Sequence, residues 1–477
     1  MGWRSVLRRW RRTFRRVFLG DVEKRGKPEL QHIKHVVVLM LENRSFDHVL
    51  GCRPDVDGVA PGMSNLDLHG KEHHIGPLDL PHASSFDPGP PHDEDPVRQQ
   101  IDNGRMSGFV RAFQRQYPEH LDLEAGHVMR QLQRAHQPMT HFLADEFTIC
   151  NRWFSAVPAD TIPNRLYSLA GDSGGVTTTR PDFAFADIPE LDSIFEQLDP
   201  EHWMLFSGCI PLAFAVSPIR TVGLDLDRWH SLSDFAELVP RLPKLTWIDP
   251  TYYWLDGADG IPRRFVHVDR RFPMPNDDHP PSHTECGQQL IRYVYESLIA
   301  HPEVWAGTLF VVTYDEHGGF YDHVKPPDIA PSERGADKFE HRGPRVPALV
   351  VSPYAARGGV CTATFDHCSI LKFLCDWLGL PQWTPRIASK DIASLAEALT
   401  TIPRTDAPAP SFPDLPLPTQ APPPSAHGAH LAKLVAAIQK QAHEEKPHVY
   451  TAVMTEAHGK APGAELGMPQ GVSKPAK

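Results

Sequence analysis

The most regular feature of the chain is a set of short apolar runs that stop abruptly on acidic or amide side chains. His35–Leu41 is rich in β-branched residues, a composition that fits a buried strand of a parallel sheet better than a helix. It ends on Glu42 and Asn43. Thr308–Tyr314 repeats the pattern and ends on Asp315 and Glu316, and Leu245–Asp249 closes on a carboxylate of its own. Residues 345–353 read as a further buried strand. Helical periodicity lies between these runs, over 128–147 and over 288–300, where Leu290, Ile291, Val294 and Leu298 share one face. A short helix is predicted at 193–198. Another starts at Asp160 or Thr161, with Pro163 in its first turn and Gly171 ending it, and one more is capped by Asp366. Residues 51–91, rich in Gly, Pro, Asp and His, read as long loops. Strands alternating with helices predict an α/β three-layer sandwich with a mainly parallel central sheet.

The flanks differ from this pattern. Residues 1–27 form a basic tail, with seven arginines in the first sixteen residues interleaved with Trp3, Trp10, Phe14 and Phe18. This reads either as a solvated tail or as a segment that touches anionic lipid. Arg15-Arg16-Val-Phe-Leu resembles a twin-arginine signal, but a charged stretch follows where an export signal needs an apolar one. The expected location is therefore cytoplasmic or peripheral at a membrane, with export as the alternative. The catalytic domain is assigned to 28–401, a Pro-rich linker to 402–428, and a short helix (Leu431, Leu434, Val435, Ile438) with a disordered tail to 429–477.

Composition narrows the function classes. With 41% hydrophobic and 22% charged residues the chain reads as globular. A net charge of −11 argues against a nucleic-acid partner. Seven cysteines without CxxC pairs argue against a disulfide framework and against a zinc-thiolate site. No apolar run is long enough to cross a bilayer.

The strand ends carry the candidate chemistry. In open α/β sheets ligands gather at the carboxyl ends of strands. A carboxylate beside an amide there suits a hard cation; for one such pair alone, a polar turn is the competing reading. Thr161 sits where a helix N-terminus would offer N–H groups and a positive dipole end to an anion. His92 lies close to acidic residues, and His279 precedes the 288–300 helix. Asp249 reads as structural, with the orienting of a histidine as the alternative. The stretch 171–175 fits G-x-S-x-G, but its glycines follow and end a helix, where a nucleophile elbow would join strand to helix. No H-E-x-x-H is present, and no phosphate-binding glycine loop accompanies Asp315-Glu316-His317.

Five motifs occur in one order: Glu-Asn-Arg-Ser-Phe-Asp-His at 42–48, Thr-Ile-Pro-Asn-Arg at 161–165, Asp-His-Pro-Pro-Ser at 278–282, Asp-Glu-His-Gly-Gly-Phe-Tyr-Asp-His at 315–323, and Arg-Val-Pro-Ala-Leu-Val-Val-Ser-Pro at 345–353. In this the chain resembles the phosphoesterase family of phosphatidylcholine-type phospholipases C and related bacterial acid phosphatases. The resemblance implies a core like that of the alkaline phosphatase superfamily. It implies one divalent metal ion (calcium, magnesium, manganese or zinc) held by Glu42, Asn43, Thr161, Asp315 and Glu316. It implies Thr161 as nucleophile, His92 and His279 as catalytic histidines, and Asn164 and Arg165 on phosphate, although Arg165 also reads as structural. The expected activity is a phospholipase C acting on choline-type phosphodiesters through a phosphothreonine. The alternatives are an acid phosphatase on monoesters, or a silent membrane-bound scaffold. Trp153, Phe154, Tyr252, Tyr253 and Trp254 are candidates for a choline pocket, with core packing as the competing reading. The expected partner is a phospholipid or small phosphate ester.

Overall fold

The computed structural model describes residues 26–78, 86, 88–119, 124–179, 191–209, 211–215, 228–252, 271–272, 274–413 and 416. Residues 1–25 of the basic tail, the C-terminal helix, Tyr253 and Trp254 lie outside these residues.

The main elements in chain order are β1 (His35–Leu41), α1 (Glu94–Ile101), α2 (Phe109–Gln116), α3 (Pro138–Glu146), β2 (Thr148–Trp153), α4 (Thr161–Ala170), β3 (Trp203–Ser207), β4 (Trp229–Ser231), β5 (Leu245–Asp249), α5 (Thr284–Ile299), β6 (Thr308–Tyr314), β7 (Ala348–Val351), β8 (Gly359–Phe365) and α6 (Cys368–Leu378). The strands form one sheet in the order β8-β2-β7-β6-β1-β5-β3-β4. All neighbours are parallel except β7, which runs antiparallel to both β6 and β2.

Every residue of β5, β6 and β7 is buried, as are six of the seven in β1. A strand buried at all positions must be covered on both faces, so the apolar runs are unbroken where a one-sided sheet would alternate. Helices supply that cover and pack in pairs. Gln288 on α5 accepts from Met139 N and Thr140 N, both at 2.9 Å, and so caps α3 from a neighbouring element. Cys368 on α6 is buried with its Sγ 3.7 Å from Tyr167 O of α4.

Two expectations need correction. The helix predicted over 128–147 is only α3, beginning at Pro138. Upstream, Arg130 and Gln131 pair with Gly76 and Pro77, and Leu132 N donates to His48 O, so tertiary partners draw that backbone out of the helix. The start of the Pro-rich stretch is also held on the domain. Arg404 N donates to Pro353 O at 2.7 Å, Tyr295 Oη to Pro408 O at 2.6 Å, and Arg292 Nη1 to Phe412 O at 2.9 Å. The short helix at 194–197 forms as expected, closed by a Ser193/Glu196 capping box. A smaller apolar cluster, built from Val97, Ile101, Phe109, Val110 and Phe113 of α1 and α2 with Tyr321, sits apart from the main core.

Candidate active site

The sheet's register assembles the acids. Leu41 of β1 lies opposite Tyr314 of β6, so Glu42 and Asp315 leave adjacent strands side by side. On the other flank of β1, β5 ends on Asp249. Between these ends reaches Arg165 of α4. Its Nη2 is 3.2 Å from Glu42 Oε1, its Nη1 3.3 Å from Asp249 Oδ1 and its Nε 3.3 Å from Asp315 Oδ2. Nη2 also donates to Met40 O at 3.2 Å. Every nitrogen of the guanidinium is thereby engaged, so Arg165 holds carboxylates and strand ends where phosphate binding had been expected of it. Asn164, beside it, is engaged by backbone. Its amide donates to the carbonyls of Val157, Ala159 and Asp160 and accepts from Val157 N, which ties the approach loop to the helix start.

Arg165, even with Arg44 facing Asp277 and Asp278, does not balance the acids gathered here. Burial, with Glu42 beside it, pushes the Asp315 carboxyl up to about 7 despite Arg165. Burial and Asp315 raise Glu316 well above the ordinary range. Burial, Glu42 and Asp278 do the same for Asp277, whose carbonyl accepts from Glu42 N at 2.7 Å. Several oxygens in this group are buried without a hydrogen-bond partner among the described residues: Asn43 Oδ1, Asp277 Oδ2, Glu316 Oε1 and Thr161 Oγ1. Such atoms cost roughly 1–3 kcal/mol each unless something satisfies them. All are oxygens, and most of the groups repel one another, so the donor set fits a hard cation. Asn43 carries a left-handed φ of +61°, a strained backbone for a non-glycine residue and one that clusters at functional sites.

Thr161 opens α4. The helix's N-cap, Asp160, spends its carboxylate on Thr178 and Thr179 and makes no side-chain cap. Arg165 stands one turn further along the helix, on the face of Thr161, and touches Glu42 and Asp315. Thr161, on the same face, is thereby placed on the side of α4 that faces the acids, at a positive helix end.

The two candidate histidines come together, with ring centroids 5.5 Å apart. His92 Nδ1 lies 2.8 Å from Pro90 O and His279 Nδ1 2.6 Å from Pro280 O. A carbonyl only accepts, so each Nδ1 carries a proton and Nε2 is the nitrogen through which each ring can exchange one. His92 Nε2 lies 3.1 Å from Asn43 Nδ2, which joins it to the acid cluster.

A second acid group stands nearby in sequence. Ligand atoms of Asp47, Asp322 and His323 lie within 4.8 Å of one another, a spacing able to hold a cation. Here Arg345 is already present, with Nη2 3.0 Å from Asp47 Oδ1 and Nε 2.9 Å from Asp322 Oδ1.

Sequence reasoning missed Asp277, the clasp of Arg165 by Asp249, and Gln100. A carboxylate directly before the 278–282 motif was the available signal for Asp277. No local signal marked Gln100, whose partners are 9 and 217 residues away. Of the choline-pocket candidates, Trp153 and Tyr252 are core residues. Trp153 Nε1 donates to His367 Nδ1 at 3.2 Å, and the Arg165 guanidinium lies 5.2 Å from the Tyr252 ring centroid. Among the described residues no helix is long and apolar enough to cross a membrane.

Comparison with known proteins gives the family. The model of the Phosphoesterase family matches residues 33–381. Non-specific phospholipase C3 of Arabidopsis thaliana is 30% identical over 440 residues, covering 82% of this chain and 78% of that protein. Phospholipase C A of Mycobacterium tuberculosis is 29% identical over 399 residues, 74% of each. Among solved structures, a Vibrio parahaemolyticus protein of the alkaline phosphatase superfamily overlays with a TM-score of 0.33 at 12% identity, over 65% of this chain and 82% of that one. The family match over most of the chain places this protein in the phosphoesterase family, a hydrolase of phosphoric ester bonds.

Proposed function

We propose that the protein is a phospholipase C that hydrolyses phosphatidylcholine-type phosphodiesters, with Thr161 as nucleophile and a phosphothreonine as intermediate. The observation that carries this reading is the Thr161 hydroxyl: buried, without a hydrogen-bond partner among the described residues, and set at a helix N-terminus beside an uncompensated acid cluster. Glu42, Asn43, Asp315 and Glu316, with Thr161, would hold one divalent ion. Bound there, that ion would lower the pKa of the threonine hydroxyl and neutralise charge on a phosphoryl oxygen.

The chain's own groups divide the remaining work. Thr161 Oγ1 forms a bond to phosphorus as the bond to the glycerol oxygen breaks; the threonine's proton passes to Nε2 of His92 or His279, and that histidine delivers a proton to the leaving oxygen. Water then attacks the phosphothreonine, its proton passing to the same histidine and from there to Thr161 Oγ1 as the bond to phosphorus breaks and the head-group phosphate leaves. The α4 N-terminus favours the anionic phosphoryl group throughout.

The test is hydrolysis of two chromogenic substrates, a phosphocholine diester and a simple phosphate monoester, with and without chelator, in wild type and Thr161→Ala. Diester turnover that disappears in both controls supports the proposal. Turnover of the monoester alone moves the activity to phosphatase. Unchanged turnover in Thr161→Ala refutes the nucleophile.

A further inference from the structure

Gln100 sits on α1, outside all five motifs, and is completely buried. Its amide makes two hydrogen bonds in opposite directions. Nε2 donates to Pro91 O at 2.7 Å, one residue before His92. Oε1 lies 2.7 Å from His317 Nε2. Because the first bond fixes which end of the amide is the donor, the ring nitrogen of His317 must be the donor in the second. The other ring nitrogen of His317, Nδ1, then faces Glu316 Oε2 at 3.1 Å.

Gln100 thus bridges two loops that carry different parts of the site: the 90–92 loop with His92, and the 316–319 loop with Glu316. These loops meet closely. At Gly319, φ +73°, a Cβ would lie 2.5 Å from Pro91 O, and at Gly318, φ +64°, one would lie 2.1 Å from Asn43 O. Only an amide supplies a donor to one loop and an acceptor to the other at this position. A carboxylate keeps the acceptor and loses the donor; a thioether of similar length loses both.

We propose that Gln100 is a positioning residue: it sets the distance between His92 and Glu316 and fixes the orientation of the His317 ring against the Glu316 carboxylate. This rests on the phosphoesterase reading of the site. Gln100 itself touches neither substrate nor metal. It acts from the small α1–α2 cluster, whose docking on the sheet domain is thereby coupled to the geometry of the catalytic groups.

The experiment uses full-length wild type, Gln100→Glu and Gln100→Met, two substitutions of similar volume. Steady-state kcat and KM are measured on the chromogenic diester, Mn²⁺ affinity of chelator-treated protein by calorimetry, and the melting temperature without metal. Outer-shell partners of metal sites typically matter by about 10–100-fold. The expected result is a fall of kcat in that range for Gln100→Met, with KM within about twofold, and Mn²⁺ binding weakened by a similar factor. Gln100→Glu, which frees only the His92 loop, lowers kcat while Mn²⁺ affinity stays within about twofold of wild type. A purely structural glutamine would lower the melting temperature and leave kcat per folded molecule and Mn²⁺ affinity unchanged; that result overturns the proposal. Equal effects of both variants on Mn²⁺ affinity overturn the division between the two bonds. If a variant does not fold, its partner variant decides through the same two measurements. Absence of ester hydrolysis in wild type is a separate failure, that of the phosphoesterase reading itself.

Discussion

Two buried groups of acids stand at the ends of the same sheet and behave in opposite ways. Around Arg345, all four carboxylate oxygens of Asp47 and Asp322 are bonded: Arg345 takes one from each, His323 N donates to Asp47 Oδ2 at 2.7 Å, and Asp47 N to Asp322 Oδ2 at 3.3 Å. Around Arg165, Glu42, Asp249 and Asp315 share one guanidinium while Asp277 and Glu316 add further carboxyls, and Asp277 Oδ2 and Glu316 Oε1 have no partner among the described residues. Both groups have the composition of a metal site, and the Arg345 group even has the tighter ligand spacing. What separates them is satisfaction. A closed ion-pair network ties residues 47, 322 and 345 into one framework. An open one stores a cost that a ligand can relieve, and such cost gathers at functional sites.

The comparison can be broken first at the nucleophile. Thr161→Ala is expected to reduce diester turnover by on the order of 10⁴-fold while the melting curve hardly moves, because the hydroxyl has no partner among the described residues to lose. Turnover that survives would remove Thr161 from the mechanism. Next is Arg345→Met, which strands two buried carboxylates and should destabilise by about 3–5 kcal/mol in urea titration. A loss below about 1 kcal/mol would show that water already reaches these acids. In the open group, Glu316→Gln removes one of several mutually repelling carboxylates. It should abolish turnover yet raise the unfolding free energy of the chelator-treated protein by about 1 kcal/mol. Destabilisation there would mean that the group is as closed as its neighbour.

The smallest expected effect concerns pH and a third buried cluster. Burial pushes the Asp366 carboxyl up, but Arg386 at 2.7 Å and Arg342 at 2.9 Å outweigh it and hold the group below its ordinary range. The folded pKa is thus depressed. The stabilisation is complete above the unfolded value near 3.9 and is lost as pH falls through the folded value. Urea midpoints of wild type should therefore fall below about pH 4 more steeply than those of Asp366→Asn. Parallel curves would sink this assignment.

Much of the site was legible because its ingredients are local. An unbroken apolar run followed by acids marks both a buried strand and its ligand-bearing end, and β1, β5 and β6 form where the pattern places them. Thr161 and Pro163 mark a helix start, and Gly171, φ +72°, ends that helix as read. The misreadings share one cause. The 128–147 periodicity was real, but cross-chain hydrogen bonds to 76–77 and to His48 compete successfully with a helix over its first ten residues. Arg165 looked equally fit for phosphate or for structure, and only the strand order decided, by setting three carboxylates around it.

The sequence by itself determined which residues form strands, which strands end on acidic or amide side chains, and which threonine opens a helix, since these depend on neighbours a few positions apart. The tertiary structure decided which acids are neutralised and which are left open, which way Arg165 and Asn164 turn, and that Gln100 links the loops of His92 and Glu316. Each of those outcomes rests on a hydrogen bond or ion pair between groups distant in the chain, whose distance and geometry no local pattern encodes.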